Sequence, residues 1–398
     1  MNGNPAIKNI LAGITTSLAM VPEVVAFALL ATVNPLVGLY AAFIVGLISA
    51  AFGGRPGLIS GGAGSLAVVS VSLVISHGVQ YLFACIVLMG ALQILFGAFK
   101  QGKLIKLVTP SVMTGFVNGL ALVIFSAQFH QLKSGSAWMH GVELYIMMAL
   151  IALTVFVVYI SPKITKALPS SLIGIGLVTV LVSLFNLDTK LVGDVSQISG
   201  ALPTFNVPSV PFTLETLMII APYSFILAAI GLIETLLTAN LVDDYVNKHH
   251  PTHKTNPNKE SVAQGAGNVL TGFFGGMGGC AMIGQTVINL EAGGFNRLSG
   301  IVQALCILAY ILFAGFIIEA IPIAALIGVM FVVCYHTFDW KSINVKSQPK
   351  IDFSIMLAVT VLTLVLNLAY AVLIGIALTQ IMRKMKFYDS VIQYLLLS

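Results

Sequence analysis

The stretch GFFGGMGGCAMIGQTVINLEAGG, at residues 272–294, decides the fold of this chain. It is too apolar for a surface loop. It also holds too much glycine for a stable helix, because glycine in a helix interior costs about 1 kcal/mol relative to alanine. Such a segment needs surroundings that tolerate irregular backbone away from water, and the rest of the sequence must identify them.

The composition indicates a membrane protein. Of the 398 residues, 58% are hydrophobic and 8% are charged, and the mean hydropathy is +1.00, which excludes a soluble globular chain. Apolar runs of about 20 residues, long enough to cross a hydrocarbon layer of about 30 Å, recur along the chain. We therefore predict an all-α polytopic membrane protein with one membrane domain over residues 1–398.

Fourteen apolar segments are assigned, seven in each half of the chain. The first set covers residues 9–32, 36–52, 65–77, 79–98, 109–129, 141–160 and 169–186. The second set covers residues 216–242, 263–274, 279–290, 298–317, 319–335, 352–368 and 370–386. The two sets predict two repeats, at about 9–186 and about 216–386.

The positive charges support this count of segments. If the segments alternate from a cytoplasmic amino terminus, all but two of the 19 lysines and arginines, Lys133 and Lys190, fall on the cytoplasmic side. This is the asymmetry of the positive-inside rule. It predicts a multi-pass protein of the plasma (inner) membrane with both termini in the cytoplasm. The net charge of +5 therefore reflects topology, and no nucleic-acid binding is expected.

The third and tenth segments, residues 65–77 and 279–290, are too short to cross a bilayer as helices. Each follows a glycine cluster, FGGRPGLISGGAGS at 52–65 and FFGGMGGC at 273–280. A repeat with an odd number of segments must be inverted in its second copy. Short glycine-interrupted segments at matching positions of two inverted halves indicate the binding site of a transporter.

The two predicted half-helices are suited to an anion. A helix that starts inside the membrane presents unpaired backbone N–H groups and the positive end of its dipole. Two such ends facing each other bind an anion without a cationic side chain. The alternative is that the glycines permit close helix packing, although packing alone does not predict equivalent positions in both halves.

Two carboxylates lie near the middle of apolar segments at corresponding positions, Glu23 in the first and Glu234 in the eighth. A carboxylate at such depth is costly and typically binds a cation or a proton. Thr238 lies four residues after Glu234, so that their oxygens share one helix face and form a candidate site for a small cation. The alternative is a protonated glutamate hydrogen-bonded in the core.

Four blocks of this sequence resemble the SulP family of inorganic anion transporters. They are MVPEVVAFALLATVNPLVGLYAAF (20–43), IGLIETLLTANLVDD (230–244), KESVAQGAGNVLTGFFGGMGG (259–279) and TVINLEAGGFNRLSGI (286–301). The resemblance implies a core and a gate domain built on two inverted seven-segment repeats. It further implies sulfate, bicarbonate or a similar small anion held between segments three and ten, often with Na⁺ or H⁺ as the coupling ion.

The resemblance also implies site residues. The coupling-cation positions of the family fall on Glu234 and Thr238, and an arginine found in some members would fall on Gln285. The absence of that arginine makes a co-transported cation more important for charge balance. The substrate-binding positions fall on Glu23, Phe27, Gly64, Ser65, Leu66, Ala67, Ala281, Met282 and Ile283.

We therefore predict a secondary active transporter of a small inorganic anion, coupled to Na⁺ or H⁺. The alternatives are a nucleobase–cation symporter of the same architecture and an uncoupled anion channel or exchanger. No GxSxG, HExxH or P-loop pattern appears, so no enzyme is expected. No cofactor is expected, and no metal site beyond Na⁺ at Glu234 and Thr238.

Two further features bear on partners and cysteine chemistry. Many SulP relatives carry a STAS domain after the last segment, and none is expected in this sequence, which leaves a homodimer open. The partners expected are the anion, the coupling cation and the lipid bilayer. The cysteines lie in or beside apolar segments without CxxC spacing, and we interpret them as small buried hydrophobes: Cys85, Cys280, Cys306 and Cys334.

Overall fold

The structure is a computed structural model that describes residues 5–102, 109–134, 137–165, 169–195, 198, 200–249, 254–344, 349–366, 371 and 374–382. It confirms the all-α class. Among the described residues, six helices are long and apolar enough to cross a bilayer.

The helices of the first half are α1 (Pro5–Leu30), α2 (Pro35–Phe52), α3 (Gly64–His77), α4 (Val79–Ala98), α5 (Pro110–Gln128), α6 (Gly141–Ile164) and α7 (Ser170–Phe185). Those that follow are α8 (Val192–Val195), α9 (Leu214–His249), α10 (Pro257–Phe273), α11 (Ile283–Glu291), α12 (Arg297–Phe313), α13 (Gly315–Glu319), α14 (Ile323–Thr337) and α15 (Lys350–Val365). Residues 374–382 are also helical. The strands are β1 (Ser60–Gly61), β2 (Lys133–Ser134), β3 (Ala137–Trp138) and β4 (Cys280–Ala281), and 3-10 turns cover Phe129–Leu132 and Trp340–Ile343.

Each of the fourteen predicted segments overlaps a helix, but several ends differ from the prediction. Helix α9 continues to His249, beyond the predicted end at residue 242, and α10 begins at Pro257, before the predicted start at residue 263. In both places most of the extra residues are polar, so hydropathy does not detect them. The start of α10 has a local cause, because the Asn256 side chain caps it by accepting a hydrogen bond from the Lys259 amide at 3.0 Å.

The chain divides into two compact units, residues 1–103 with 127–332 and residues 104–126 with 333–398. In the first unit, α10 packs against α4 and α2, α12 packs against α1 and α2, and α9 packs against α4. In the second unit, the Thr360 hydroxyl of α15 donates to the Gly115 carbonyl of α5 at 3.1 Å. The division into a core and a gate domain stays a prediction.

The contact between α4 and α10 depends on glycine. A Cβ added at Gly90 would lie 2.5 Å from the carbonyl oxygen of Gly265, and a Cβ added at Gly265 would lie 2.6 Å from that of Gly90. The two backbones can approach this closely because neither residue has a side chain, as is typical of membrane helices. Close packing therefore explains these glycines, which lie outside the two glycine clusters.

The connection from α2 to β1 is held by two buried or partly buried charges. The Arg297 guanidinium donates to the carbonyls at the end of α2, with 2.9 Å to Ala50 and 2.7 Å to Gly53. The carboxylate of Glu260, on α10, accepts from the amides of Gly54 (2.6 Å) and Arg55 (3.0 Å). These bonds satisfy the backbone groups of the turn that leads into β1.

The α4–α10 contact predicts that Gly265→Ala destabilises the protein. The new methyl group meets backbone atoms that cannot rotate away, so we expect a loss of about 1–3 kcal/mol, seen as a lower thermal unfolding midpoint in detergent. Gly176→Ala is the matched control, because Gly176 is an exposed glycine of α7 with nothing within 4 Å of an added Cβ. Equal midpoints for the two variants would contradict the proposed packing.

Candidate functional site

The glycine-rich clusters of the two halves meet in a short pair of strands. Strands β1 and β4 are antiparallel, with Ser60 opposite Ala281 and Gly61 opposite Cys280. Each strand leads directly into a short helix, since α3 begins at Gly64 and α11 begins at Ile283. With 9 residues, α11 is about 14 Å long at a rise of about 1.5 Å per residue. The two short helices predicted after the glycine clusters are therefore both present, and they start from a common strand pair.

Two glycines before β4 are required by the backbone. Gly278 has a φ of 77°, in the left-handed region that favours glycine. At Gly279 an added Cβ would collide with the carbonyl oxygen of Gly61 in the facing strand. The sequence GGMGGC is therefore a mostly buried connection and not a surface loop, because it turns the chain and then passes close to a second backbone.

The amino ends of α3 and α11 lack side-chain caps. The residues at the cap positions are Ala63 and Met282, and neither caps its helix with a side chain. The first amides of a helix have no acceptor within that helix. The amides of residues 64–66 and 283–285 therefore point out of the two helix ends, where the dipoles favour an anion.

Three of the predicted site residues use their amides in the scaffold. The Met282 amide donates to the Ile59 carbonyl at 2.9 Å, which extends the strand pairing, and the Ala281 amide donates to the Thr235 hydroxyl at 3.1 Å. The Ala67 amide is bonded within α3, to the Ala63 carbonyl at 3.0 Å. Backbone hydrogen bonds to an anion must therefore come from the neighbouring amides, those of residues 64–66 at the start of α3 and of residues 283–285 at the start of α11.

The first turn of α11 is the most accessible part of this region. Gly284 is exposed, and beyond its own neighbours no described atom lies within 4 Å of an added Cβ. Gln285 is fully buried. The half-buried carboxyl of Glu23 interacts with this side chain, while Phe27, one turn further along α1, is buried.

Glu234 connects the two half-helices. Its Oε2 atom accepts a hydrogen bond from the Ser65 hydroxyl at 2.8 Å and another from the Cys280 thiol at 2.8 Å. Ser65 lies in the first turn of α3, and Cys280 lies in the strand that leads into α11. Glu234 is 8% exposed, so these bonds are shielded from water. One carboxylate oxygen thus touches both ends of the candidate anion site.

Thr238 lies one turn after Glu234 on α9 and is fully buried. Its hydroxyl donates to the backbone carbonyl of Glu234 at 2.7 Å. A hydroxyl that donates its hydrogen keeps its lone pairs for a cation, so the contact is compatible with the predicted pair of cation ligands.

Two residues of the site were not recognised from the sequence. Cys280 is buried, as an apolar cysteine would be, but it also donates to Glu234. Thr235, next to Glu234, accepts from the Ala281 amide and ties α9 to β4. No spacing rule signals these contacts, because each joins residues that are 46 positions apart in sequence.

The chain matches the sulfate permease family over residues 7–359. It is 45% identical over 376 residues to the putative sulfate transporter YbaR of Bacillus subtilis (strain 168), an alignment that covers 94% of this chain and 76% of YbaR. It is 32% identical over 369 residues to the bicarbonate transporter BicA of Synechocystis sp. (strain ATCC 27184 / PCC 6803 / Kazusa), covering 87% of this chain and 64% of BicA.

Solved structures agree with this relationship. The transmembrane domain of a cyanobacterium bicarbonate transporter BicA superimposes with a TM-score of 0.79 at 28% identity, covering 95% of this chain and 98% of that domain. SLC26A9 also superimposes with a TM-score of 0.79, covering 94% of this chain and 64% of SLC26A9, and at 17% identity it shows the fold alone. The chain therefore belongs to the sulfate permease (SulP) family, and it is a multi-pass anion transporter and not an enzyme.

Proposed function

We propose that this protein is a cation-coupled secondary active transporter of a small inorganic oxyanion, sulfate or bicarbonate. The anion binds at the amino ends of α3 and α11, and the coupling cation, Na⁺ or H⁺, binds at Glu234. The observation that carries the proposal is the contact of one Glu234 oxygen with both Ser65 and Cys280. The names of YbaR and BicA supply the two candidate anions.

The anion site follows from the donors at the two helix ends. The first amides of α3 and α11 carry partial positive charges, which attract an anion. The charge of these dipoles is fixed by the backbone and does not depend on pH. Oxyanions fit such donors because each of their oxygens accepts hydrogen bonds.

The cation site follows from the burial of Glu234. An ionised carboxylate in a membrane domain is costly unless a cation or a proton compensates its charge. A cation that binds to Oε2 competes with the donors from Ser65 and Cys280, which lie at the entrances to the two half-helices. Cation binding and the geometry of the anion site are thereby linked through one atom.

Charge balance gives the reason for coupling. The Gln285 side chain is neutral, so the site has no fixed cation at this position of α11. An anion bound near the Glu234 carboxylate is repelled by it, and a bound Na⁺ or H⁺ removes that repulsion. Each ion therefore raises the affinity of the other, as thermodynamic linkage requires.

We also propose that the protein lies in the plasma membrane with both termini in the cytoplasm. The support is the distribution of lysine and arginine, of which only Lys133 and Lys190 fall on the outer side of the proposed topology.

The role of Glu234 predicts that Glu234→Gln abolishes cation-driven accumulation of the anion. The substitution keeps the shape of the side chain and removes its charge, so a Na⁺ or H⁺ gradient no longer drives uptake. Anion exchange down its own gradient should persist, because the helix ends still bind the anion. Thr238→Val should lower cation affinity less than Glu234→Gln, since it removes a neutral ligand.

The measurement is uptake of labelled sulfate or bicarbonate into liposomes, with each cation gradient imposed separately. Glu215→Gln is the matched control, because Glu215 is an exposed glutamate on the same helix. If Glu234→Gln still concentrates the anion, coupling resides at another group, and Glu23 is tested next. If no cation gradient drives wild-type uptake, the protein is a channel or an exchanger.

The accessible turn of α11 predicts that Gly284→Val raises the KM for the anion about tenfold or more. The added Cβ enters open space, so the protein should fold normally. Side chains of a helix lean toward its amino end, so the valine would cover the amides that hold the anion. Concentration-dependent uptake in liposomes provides the KM, and an unchanged thermal midpoint shows that the fold persists. A wild-type KM in this variant would place the anion elsewhere.

A further inference from the structure

Helix α10 carries buried polar side chains that the transport site does not use directly. Gln264 and Asn268 are both fully buried and lie four residues apart, on one face of the helix. Buried amides in a membrane domain are costly unless their donors and acceptors are bonded. Their hydrogen bonds therefore indicate what this face of α10 holds in place.

Asn268 binds the backbone of Gly279, the residue immediately before β4. Its Oδ1 accepts from the Gly279 amide at 2.8 Å, and its Nδ2 donates to the Gly279 carbonyl at 3.0 Å. The side-chain amide thus pairs with a peptide group much as a neighbouring strand would. Nδ2 also donates to Oε1 of Gln93 on α4 at 2.8 Å, which orients the Asn268 amide.

Gln264 reaches both strands. Its Nε2 donates to the same Gly279 carbonyl at 2.9 Å, and its Oε1 accepts from the Ser60 hydroxyl at 3.3 Å. Ser60 belongs to β1 and faces Ala281 in β4. One side chain of α10 therefore connects the entrance of α3 to the entrance of α11.

We propose that Gln264 and Asn268 are positioning residues for anion transport, which act by setting the register and spacing of the two half-helix starts. The strand pair has two residues on each side, too few to define a geometry by itself. The amides of α10 act as a third partner of this pair. The proposal rests on the proposed anion site at the ends of α3 and α11, but the hydrogen bonds from Gln264 and Asn268 to the strand pair are present in the protein without substrate.

The experiment compares Asn268→Leu and Gln264→Leu with wild type in two measurements. The first is hydrogen–deuterium exchange of the purified protein without substrate. Both substitutions should increase exchange in peptides covering residues 279–286 and also in those covering 58–66, which belong to the other half of the chain. If the two residues had only a local structural role, exchange would increase around α10 and β4 and would stay at the wild-type level in residues 58–66.

The second measurement is the uptake of sulfate and of bicarbonate, each alone, as a function of concentration. We expect the KM for the transported anion to rise about tenfold, with a smaller change in maximal rate, because the donors are displaced and the Glu234 carboxylate is retained.

Thr271→Val is the matched control. Thr271 is a buried polar residue of the same helix, but its hydroxyl donates to the Gly267 carbonyl of α10 itself, so both measurements should stay at wild-type values. Wild-type exchange at 58–66 in both leucine variants would overturn the proposal, as would an unchanged KM. If the wild-type protein transports neither anion, the proposed function fails, and the exchange measurement alone decides whether α10 positions the half-helices.

Discussion

The structure depends on the requirement that backbone polar groups away from water must be hydrogen-bonded. Two helices that start inside a membrane domain break the continuous bonding that a spanning helix provides. The β1–β4 pair restores it, since Ser60 faces Ala281, Gly61 faces Cys280 and the Met282 amide extends the pairing to Ile59. The glycines at 278 and 279 belong to the same solution, because they allow the turn and the close approach of the two strands.

The same requirement determines which backbone amides are used in the scaffold and which remain available to bind an anion. Pairing uses the amide of Met282, and Thr235 uses that of Ala281. The amides of the first turns of α3 and α11 remain directed out of the helix ends, without side-chain caps from Ala63 or Met282. Amides of the scaffold and amides of the candidate anion site therefore follow one another directly in the sequence.

Glu234 extends this arrangement to a third element, α9. Its bonds to Ser65 and Cys280 make the carboxylate part of the support for both half-helices as well as the proposed cation ligand. In the proposed function such a site needs no long pathway to couple two ions, because one atom contacts both entrances. The two donated hydrogen bonds offset only part of the cost of burying the carboxylate.

The sequence by itself determined the membrane class, the two short segments and the presence of a carboxylate, Glu234, within an apolar run. Each of these is a local property, expressed in the length of an apolar run, a glycine cluster or a charge at depth. Helix ends were less accurate where polar residues extend a helix, as in α9 and α10. The tertiary structure alone decided that Cys280 and Ser65 bind the same oxygen of Glu234. It also decided that the amides of Met282 and Ala281 are hydrogen-bonded within the scaffold. The pairing of Asn268 with Gly279 is likewise visible only in the folded protein. The physical reason is that hydropathy and periodicity record each residue's preference for lipid or water, whereas a hydrogen bond between distant segments depends on how the folded helices place two polar atoms within about 3 Å.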